Sequence, residues 1–246
     1  MISIKAGAAL ALLLAAPALA GPLVVRAVGP SAAAYKPGTR LAETTPMLLK
    51  AGDKVTVLDA RGTRSFAGPG SFRLDQASSA ATPAAFTELL TQKSERRARI
   101  GAVRGAGGTA TGTPVPPGVW ALDAGSSGTV CALDPAKISL WRADPSAAGA
   151  VAIRRAAGNI AATVAFASPV TVAFAPGQAV ANWPAALPVA DGDQFRITGA
   201  GAPATLVIRT VAAPAAIDAL GAALLDKGCT SQFERLTNVT KVADAS

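Results

Sequence analysis

The side chains that most often carry out chemistry in proteins are scarce in this chain of 246 residues. Histidine is absent, which removes the commonest general base, the usual serine and cysteine triads and most zinc sites. Ser126 and Ser127 lie between two glycines in an order that differs from the G-x-S-x-G motif of hydrolases, so we interpret them as loop residues. The sequence therefore predicts a protein that is not an enzyme and that carries no cofactor.

Two carboxylates lie close together in the second half of the chain. Asp191 and Asp193 flank Gly192, and paired carboxylates can act as acid and base on a glycoside or help to bind a metal. A spacing of one glycine is more typical of a turn, and the further oxygen ligands of a calcium loop do not follow. We interpret the pair as turn residues and predict no metal site. A hydrolase whose acid and base are both carboxylates remains an alternative.

Three tryptophans, Trp120, Trp141 and Trp183, could stack on sugar rings. Tryptophan in a β-rich domain of this size more often belongs to the hydrophobic core. We therefore predict core positions and keep exposed tryptophan as the observation that would favour sugar binding.

The amino terminus has the pattern of a secretory signal peptide. Lys5 supplies a positive charge, an apolar run follows, and the small residues Ala18 and Ala20 frame an A-x-A cleavage site. The run is too short to cross a bilayer, and no later segment offers the roughly 18 uninterrupted apolar residues that a membrane helix needs. We predict cleavage after Ala20, export to the periplasm and no transmembrane anchor.

Cys131 and Cys229 are the two cysteines of the chain. A redox-active pair would favour the close C-x-x-C spacing, whereas an isolated pair in an exported protein is typical of a structural disulfide. We predict that they are bonded to each other.

Positive charge is concentrated in the first half of the chain. Residues 21–110 contain 13 Lys and Arg against 6 Asp and Glu, whereas residues 111–246 contain 9 of each. Part of the excess lies in the basic connector, toward the end of a predicted helix and just after it, at Lys93, Arg96, Arg97, Arg99 and Arg104. These cations either complement the helix dipole in solvent or bind an envelope protein or anionic polymer. The predicted compartment argues against nucleic acid as the partner.

The first part of the mature chain reads as short strands separated by turns. Lys54–Leu58 alternates polar and apolar residues, and Gly-rich turns follow at residues 59–62 and 68–70. With the preceding run Leu49-Lys50-Ala51-Gly52-Asp53, this succession resembles the periplasmic module of FecR-like proteins over residues 22–76. The resemblance implies an envelope β-module. It does not imply signalling to a sigma factor, because FecR-like sensors have a cytoplasmic segment and a membrane helix where this chain has a predicted signal peptide.

The rest of the chain divides into a connector and a second β-rich unit. Residues 82–99 have helical periodicity and are followed by a Gly/Pro-rich linker, whereas regularly spaced short strands from residue 119 onward favour a β-sandwich. Residues 160–166 and 170–174 are expected to form a hairpin, and a helix opened by Pro214 is expected to close the chain.

The predicted fold class is thus mainly β, with a signal peptide (1–20), a β-meander module (21–80), a basic helix and linker (81–117) and a β-sandwich with a carboxyl-terminal helix (118–246). The predicted function is a non-enzymatic periplasmic interaction or sensory accessory protein. The alternatives are a binding protein for an anionic envelope polysaccharide or other polymer, and the carboxylate-based hydrolase.

The predicted cleavage site can be tested by intact-mass measurement of the exported protein. We expect a species that lacks Met1–Ala20 and begins at Gly21, and we expect Ala18→Asp to leave the precursor uncleaved, because the site requires a small residue at that position. A different amino terminus, or normal processing of the Ala18→Asp variant, would contradict the prediction.

Overall fold

The structure is a computed structural model that describes residues 21–75, 114–156, 168–214 and 216–241. In these ranges the protein is mainly β, with several sheets followed by two helices, which confirms the predicted fold class. The predicted signal segment, most of the predicted connector and the expected strand at residues 160–166 lie outside the described residues.

The described ranges contain strands and helices at the following positions. They are β1 (Leu23–Val28), β2 (Met47–Leu49), β3 (Lys54–Asp59), β4 (Gly62–Ala67), β5 (Gly70–Phe72), β6 (Ala121–Asp123), β7 (Gly128–Ala132), β8 (Ser139–Trp141), β9 (Gly149–Arg155), β10 (Val170–Phe174), β11 (Val180–Asn182), β12 (Gln194–Thr198), β13 (Ala204–Thr210), α1 (Ile217–Asp226) and α2 (Thr230–Val239). Short 3-10 turns occupy Ala32–Ala34 and Pro135–Lys137.

The amino-terminal strands form two small sheets rather than one meander. One sheet has the order β1-β3-β4, and β2 pairs with β5 in a second sheet. The expected hairpin between β3 and β4 is present, with Asp59 opposite Gly62 at the reversal. Strand β2 does not pair with β1 or β3, and its residues Met47 and Leu49 instead share a buried cluster with Val55 and Val57 of β3. The predicted meander is therefore correct only for β3 and β4.

The second unit is built from two sheets around one core. A five-stranded sheet has the order β10-β9-β12-β13-β7, and a three-stranded sheet has the order β11-β8-β6. Inward-facing residues of both sheets, such as Ile153, Phe195 and Leu140, belong to the same hydrophobic cluster. This is the arrangement of a sandwich. Two strand pairs are parallel, β7 with β13 and β6 with β8, and β10 pairs with β9.

Two helices, rather than the one predicted, follow the last strand. Helix α1 begins and ends close to the predicted helix, and α2 follows it after Gly228 and Cys229. Within the described residues, neither these helices nor any other combines the length and hydrophobicity needed to cross a membrane.

The helices pack between the amino-terminal sheet and the sandwich. Leu220 and Leu236 of the helices share a cluster with Leu23 and Leu58 of the first sheet and with Trp120 ahead of β6. The approach is close, since a Cβ added at Gly221 would lie 2.5 Å from Leu58 Cδ2. The amino-terminal module and the sandwich thus share a core through the carboxyl-terminal helices.

Polar contacts tie the two ends of the described chain to each other. The Arg40 guanidinium donates to the Gly21 carbonyl at 2.9 Å and pairs with Asp218 of α1 at 3.3 Å. The Thr63 N–H of β4 donates to the Thr240 carbonyl, just after α2, at 2.8 Å. Gly21 itself is buried, and a Cβ there would lie 2.5 Å from the Leu41 carbonyl oxygen.

Cys131 on β7 and Cys229 ahead of α2 form a disulfide, with their Cα atoms 5.9 Å apart. The pairing predicted from the sequence is therefore present. Beside it, the buried amide of Gln232 accepts from the Cys131 N–H and donates to the Cys131 carbonyl at 2.8 Å. Gln232 thereby satisfies the backbone of an edge strand that lies against a helix.

Replacement of Gln232 by Leu removes both hydrogen bonds to Cys131. The N–H and the carbonyl would then be buried without partners, and each such group costs about 1–3 kcal/mol. We expect the free energy of unfolding, measured by urea titration, to fall by at least about 2 kcal/mol. The control is Asn238→Leu on the exposed side of the same helix, which should change it by less than about 0.5 kcal/mol. Equal stability of the two variants would contradict this role for Gln232.

Candidate binding surface

The outer surface of the five-stranded sheet carries cations without matching acids on its strands. Its strands contain four arginines, at positions 154, 155, 196 and 209, and no Asp or Glu. Strand alternation places large apolar side chains on the inner face, where Phe174 and Phe195 are 2% and 0% exposed. The outer face of β9, β10, β12 and β13 is left mainly with small and polar residues, together with the partly buried Val207 on β13.

We define the arginine face as this outer surface. It consists of Ala150, Ala152, Arg154, Thr171, Ala173, Arg196, Thr198 and Thr205. Most of these side chains are exposed, and the two threonines at positions 171 and 198 are aligned in register with Ala152 between them. Among the described residues, those that make up the face are mostly exposed and include no aromatic or long apolar side chain.

Two of the four arginines are neutralised by the turn that precedes β12. Arg155 forms an ion pair with Asp193, and Arg209 lies 3.4 Å from Asp191. Arg155 also lies over the Phe195 ring, with its guanidinium carbon 4.9 Å from the ring centroid. Arg155 and Arg209 are engaged by these partners and are therefore less available to a ligand than Arg154 and Arg196.

Arg154 and Arg196 are directly opposite each other on β9 and β12. The Ala156 N–H bonds the Gln194 carbonyl in the same ladder at 2.8 Å, so the alternation of antiparallel pairs makes Arg154 and Arg196 a hydrogen-bonded pair with parallel, neighbouring side chains. Both are exposed, and neither has an ion pair or side-chain hydrogen bond with another described residue. Like charges directly opposite each other destabilise a sheet. An anion placed between them would remove that repulsion.

The carboxylates of Asp191 and Asp193 are used by the turn itself. Asp191 accepts from the Thr210 N–H at 2.7 Å, and this backbone hydrogen bond is the main cause that lowers the pKa of Asp191. Asp193 accepts from the Ala190 N–H at 2.7 Å. The turn interpretation agrees with these contacts, and they do not produce two carboxylates that converge on a cleft.

The serines of the Gly125–Gly128 loop also have structural partners. The Ser126 hydroxyl donates to Asp123 at 2.7 Å, and the Ser127 hydroxyl accepts from the Thr205 N–H at 2.9 Å.

No group of three or more His, Cys, Asp or Glu in the described part of the chain is arranged to hold a metal ion.

The tryptophans lie in or against the core, as the sequence predicts. Trp120 and Trp141 are buried, at 7% and 5% exposure. Trp183 is partly buried, donates from its indole nitrogen to the Leu187 carbonyl at 2.7 Å and packs edge-on against Phe195. They do not form an exposed platform for sugar stacking.

Buried charges of the amino-terminal module are tied to its own loops. Asp53 accepts from the Ser31 N–H at 2.8 Å and from the Lys50 N–H; burial raises the pKa of its carboxyl, but these hydrogen bonds outweigh it and the pKa is lowered. Arg64 pairs with Asp59 and donates to the Leu74 carbonyl at 2.9 Å. Both groups stabilise the local fold.

The binding residues predicted from the sequence, Lys93, Arg96, Arg97, Arg99 and Arg104, lie outside the described residues. The predicted docking role of that segment stays a prediction. Sequence reasoning did not identify Arg154 and Arg196. The sequence does contain one signal: each arginine stands next to apolar residues that face inward, in Ile153-Arg154 and Phe195-Arg196-Ile197, which places the arginine on the outer face. That the two arginines lie opposite each other depends on the register of the strands.

Comparison with protein-family models, with curated proteins and with solved structures found no match. The resemblance of residues 22–76 to FecR-like modules therefore stays a prediction, and function has to be inferred from the surface of this chain.

The opposed arginines predict that a charge reversal stabilises the protein. Arg196→Glu would replace a repulsive cross-strand pair with an attractive one to Arg154, so we expect the free energy of unfolding to rise by about 0.2–1 kcal/mol at low ionic strength. Urea titration at low salt and in 1 M salt measures this, and the gain should shrink at high salt, where charges are screened within about 3 Å. A gain that persists in 1 M salt, or a loss at low salt, would contradict repulsion between these side chains.

Proposed function

We propose that the protein is a non-enzymatic binding protein of the bacterial periplasm, which docks an anionic envelope component on the arginine face. Two features support the compartment: the signal-like amino terminus and the structural disulfide between Cys131 and Cys229. The role as an interaction or sensory accessory protein agrees with the absence of histidine from the chain and with the resemblance to envelope modules.

The observation that carries the proposal is the cross-strand pair of Arg154 and Arg196. Both cations are solvent-exposed on a face whose strands contain no acid. Proteins usually place opposite charges or neutral residues at such positions, because the pair costs stability. An anion bound between the two arginines would relieve their repulsion, and a surface of positive potential attracts an anionic partner.

The hydrolase alternative receives no support from the contacts of its most obvious carboxylates. Asp191 and Asp193 are held by backbone N–H groups and paired with Arg209 and Arg155.

The basic segment at residues 93–104 is positively charged like the arginine face. It therefore supports the same class of partner and does not require a second function.

Site-specific photo-cross-linking in living cells tests the proposed surface. A photo-reactive amino acid at the exposed Thr198, on the arginine face, should give an adduct with an envelope component in the exported protein. The adduct should disappear when Arg154→Gln and Arg196→Gln are combined, because the charge that holds the partner is lost. Placement of the same amino acid at Ala67, exposed at the end of β4, should not give that adduct.

The matched control removes two charges from another sheet. Arg26 and Lys54 are exposed on β1 and β3, and Arg26→Gln with Lys54→Gln lowers the net charge by the same amount. The Thr198 adduct should survive this change. Two results would contradict the proposed surface. One is the absence of an adduct from position 198 when Arg154 and Arg196 are both present. The other is survival of that adduct when both arginines are replaced.

A further inference from the structure

We propose that the occupant of the arginine face is a polysaccharide whose sugars carry carboxylates. This inference rests on the proposed function and specifies the class of its anionic partner. It follows from the two side-by-side guanidinium groups, from the threonines around them and from the lack of aromatic side chains among the residues of the face.

The guanidinium groups suit a chain of separate carboxylates. Each guanidinium presents a planar fork of N–H donors that binds one carboxylate through two parallel hydrogen bonds. Arg154 and Arg196 project in the same direction from adjacent strands. Two carboxylates carried by one extended polymer can therefore occupy both forks and neutralise both charges.

The threonines add uncharged hydrogen-bonding groups beside the cations. Thr205 on β13 is the direct neighbour of Arg196, and Thr198 and Thr171 lie on either side of Ala152 in the adjoining row. A hydroxyl both donates and accepts, which matches the hydroxyl groups of a sugar ring. The alanines between them leave room for the polymer to approach the backbone of the sheet.

A folded protein or a membrane fits this face less well. The cores of protein interfaces are enriched in Tyr, Trp, Phe, Met and Arg. Of these residue types the arginine face exposes only Arg, because the aromatic residues of its strands, Phe174 and Phe195, are buried in the sandwich. Insertion into a lipid surface requires exposed apolar side chains. The large hydrophobic side chains that are exposed in the described chain, at Val28, Leu48, Val115 and Val239, all lie outside the five strands.

A neutral polysaccharide is also a poor fit. Neutral sugars are commonly held by stacking on aromatic rings, and Trp120, Trp141 and Trp183 are buried or partly buried in the core. Recognition by the arginine face must then depend mainly on charge. Binding should accordingly weaken as salt increases.

The test measures binding of the mature chain to immobilised polygalacturonate at low ionic strength. We expect saturable binding that is competed by soluble polygalacturonate and not by dextran, a neutral polymer. Combined Arg154→Gln and Arg196→Gln should weaken it by at least about tenfold, because two charge-assisted contacts are lost. Combined Arg26→Gln and Lys54→Gln, which lowers the net charge equally, should change it by less than about twofold. Thermal unfolding of both double variants verifies that they are folded.

Two further probes separate this inference from the function on which it rests. If polyphosphate or polyglutamate binds in an Arg154- and Arg196-dependent manner and polygalacturonate does not, the carboxylated polysaccharide is wrong while the anionic docking face stands. If none of the three polymers binds, both proposals fail. If the two double variants weaken polygalacturonate binding equally, attraction is due to net charge and the arginine face is not the site.

Discussion

The structure depends on the burial of two short helices between the amino-terminal sheet and the sandwich. Leu220, Leu224 and Leu236 are fully buried there, in a cluster that also contains Leu23 and Leu58 from the first strands of the chain. Neither helix is long enough to be stable alone in water, so their apolar faces need both partners. The disulfide and Gln232 then hold α2 to the edge of β7, where the helix covers backbone groups that would otherwise be exposed to pairing with another strand.

The arginine face is a consequence of how the sandwich satisfies its own core. Each long strand alternates, so burial of Val151, Ile153, Phe195 and Ile197 on one side determines which residues reach the other side. A shift of register by one residue would bury Arg154, which fixes the pairing of β9 with β12. The core specifies this register strongly, because the free energy gained by burying those apolar side chains is large. The repulsion between Arg154 and Arg196 is small beside it, so the like-charged pair is tolerated.

Much of the local structure follows from the sequence, whereas the assembly of distant segments does not. The strands expected at 54–58 and 63–66, and the reversal at Asp59–Gly62 between them, follow from alternation and turn residues, which are local signals, and they coincide with β3 and β4 to within one residue at each end. Strand β11 has only three residues, too few for a period, and α2 begins directly after a glycine and a cysteine, with polar residues over most of its surface. The pairing of β2 with β5 and the opposition of Arg154 and Arg196 join segments that are far apart in the sequence, and no local pattern contains that information.

The burial of Gly21 bears on the order in which the chain can mature. In the folded protein its carbonyl is held by Arg40, which also reaches Asp218 near the other end of the chain, and the surroundings leave no space for a side chain. The cleavage after Ala20 that the sequence predicts would need the peptide around Gly21 to be extended and accessible, whereas in the folded protein Gly21 is buried. Cleavage at the predicted site would therefore have to precede the closure of Arg40 and Asp218 over Gly21.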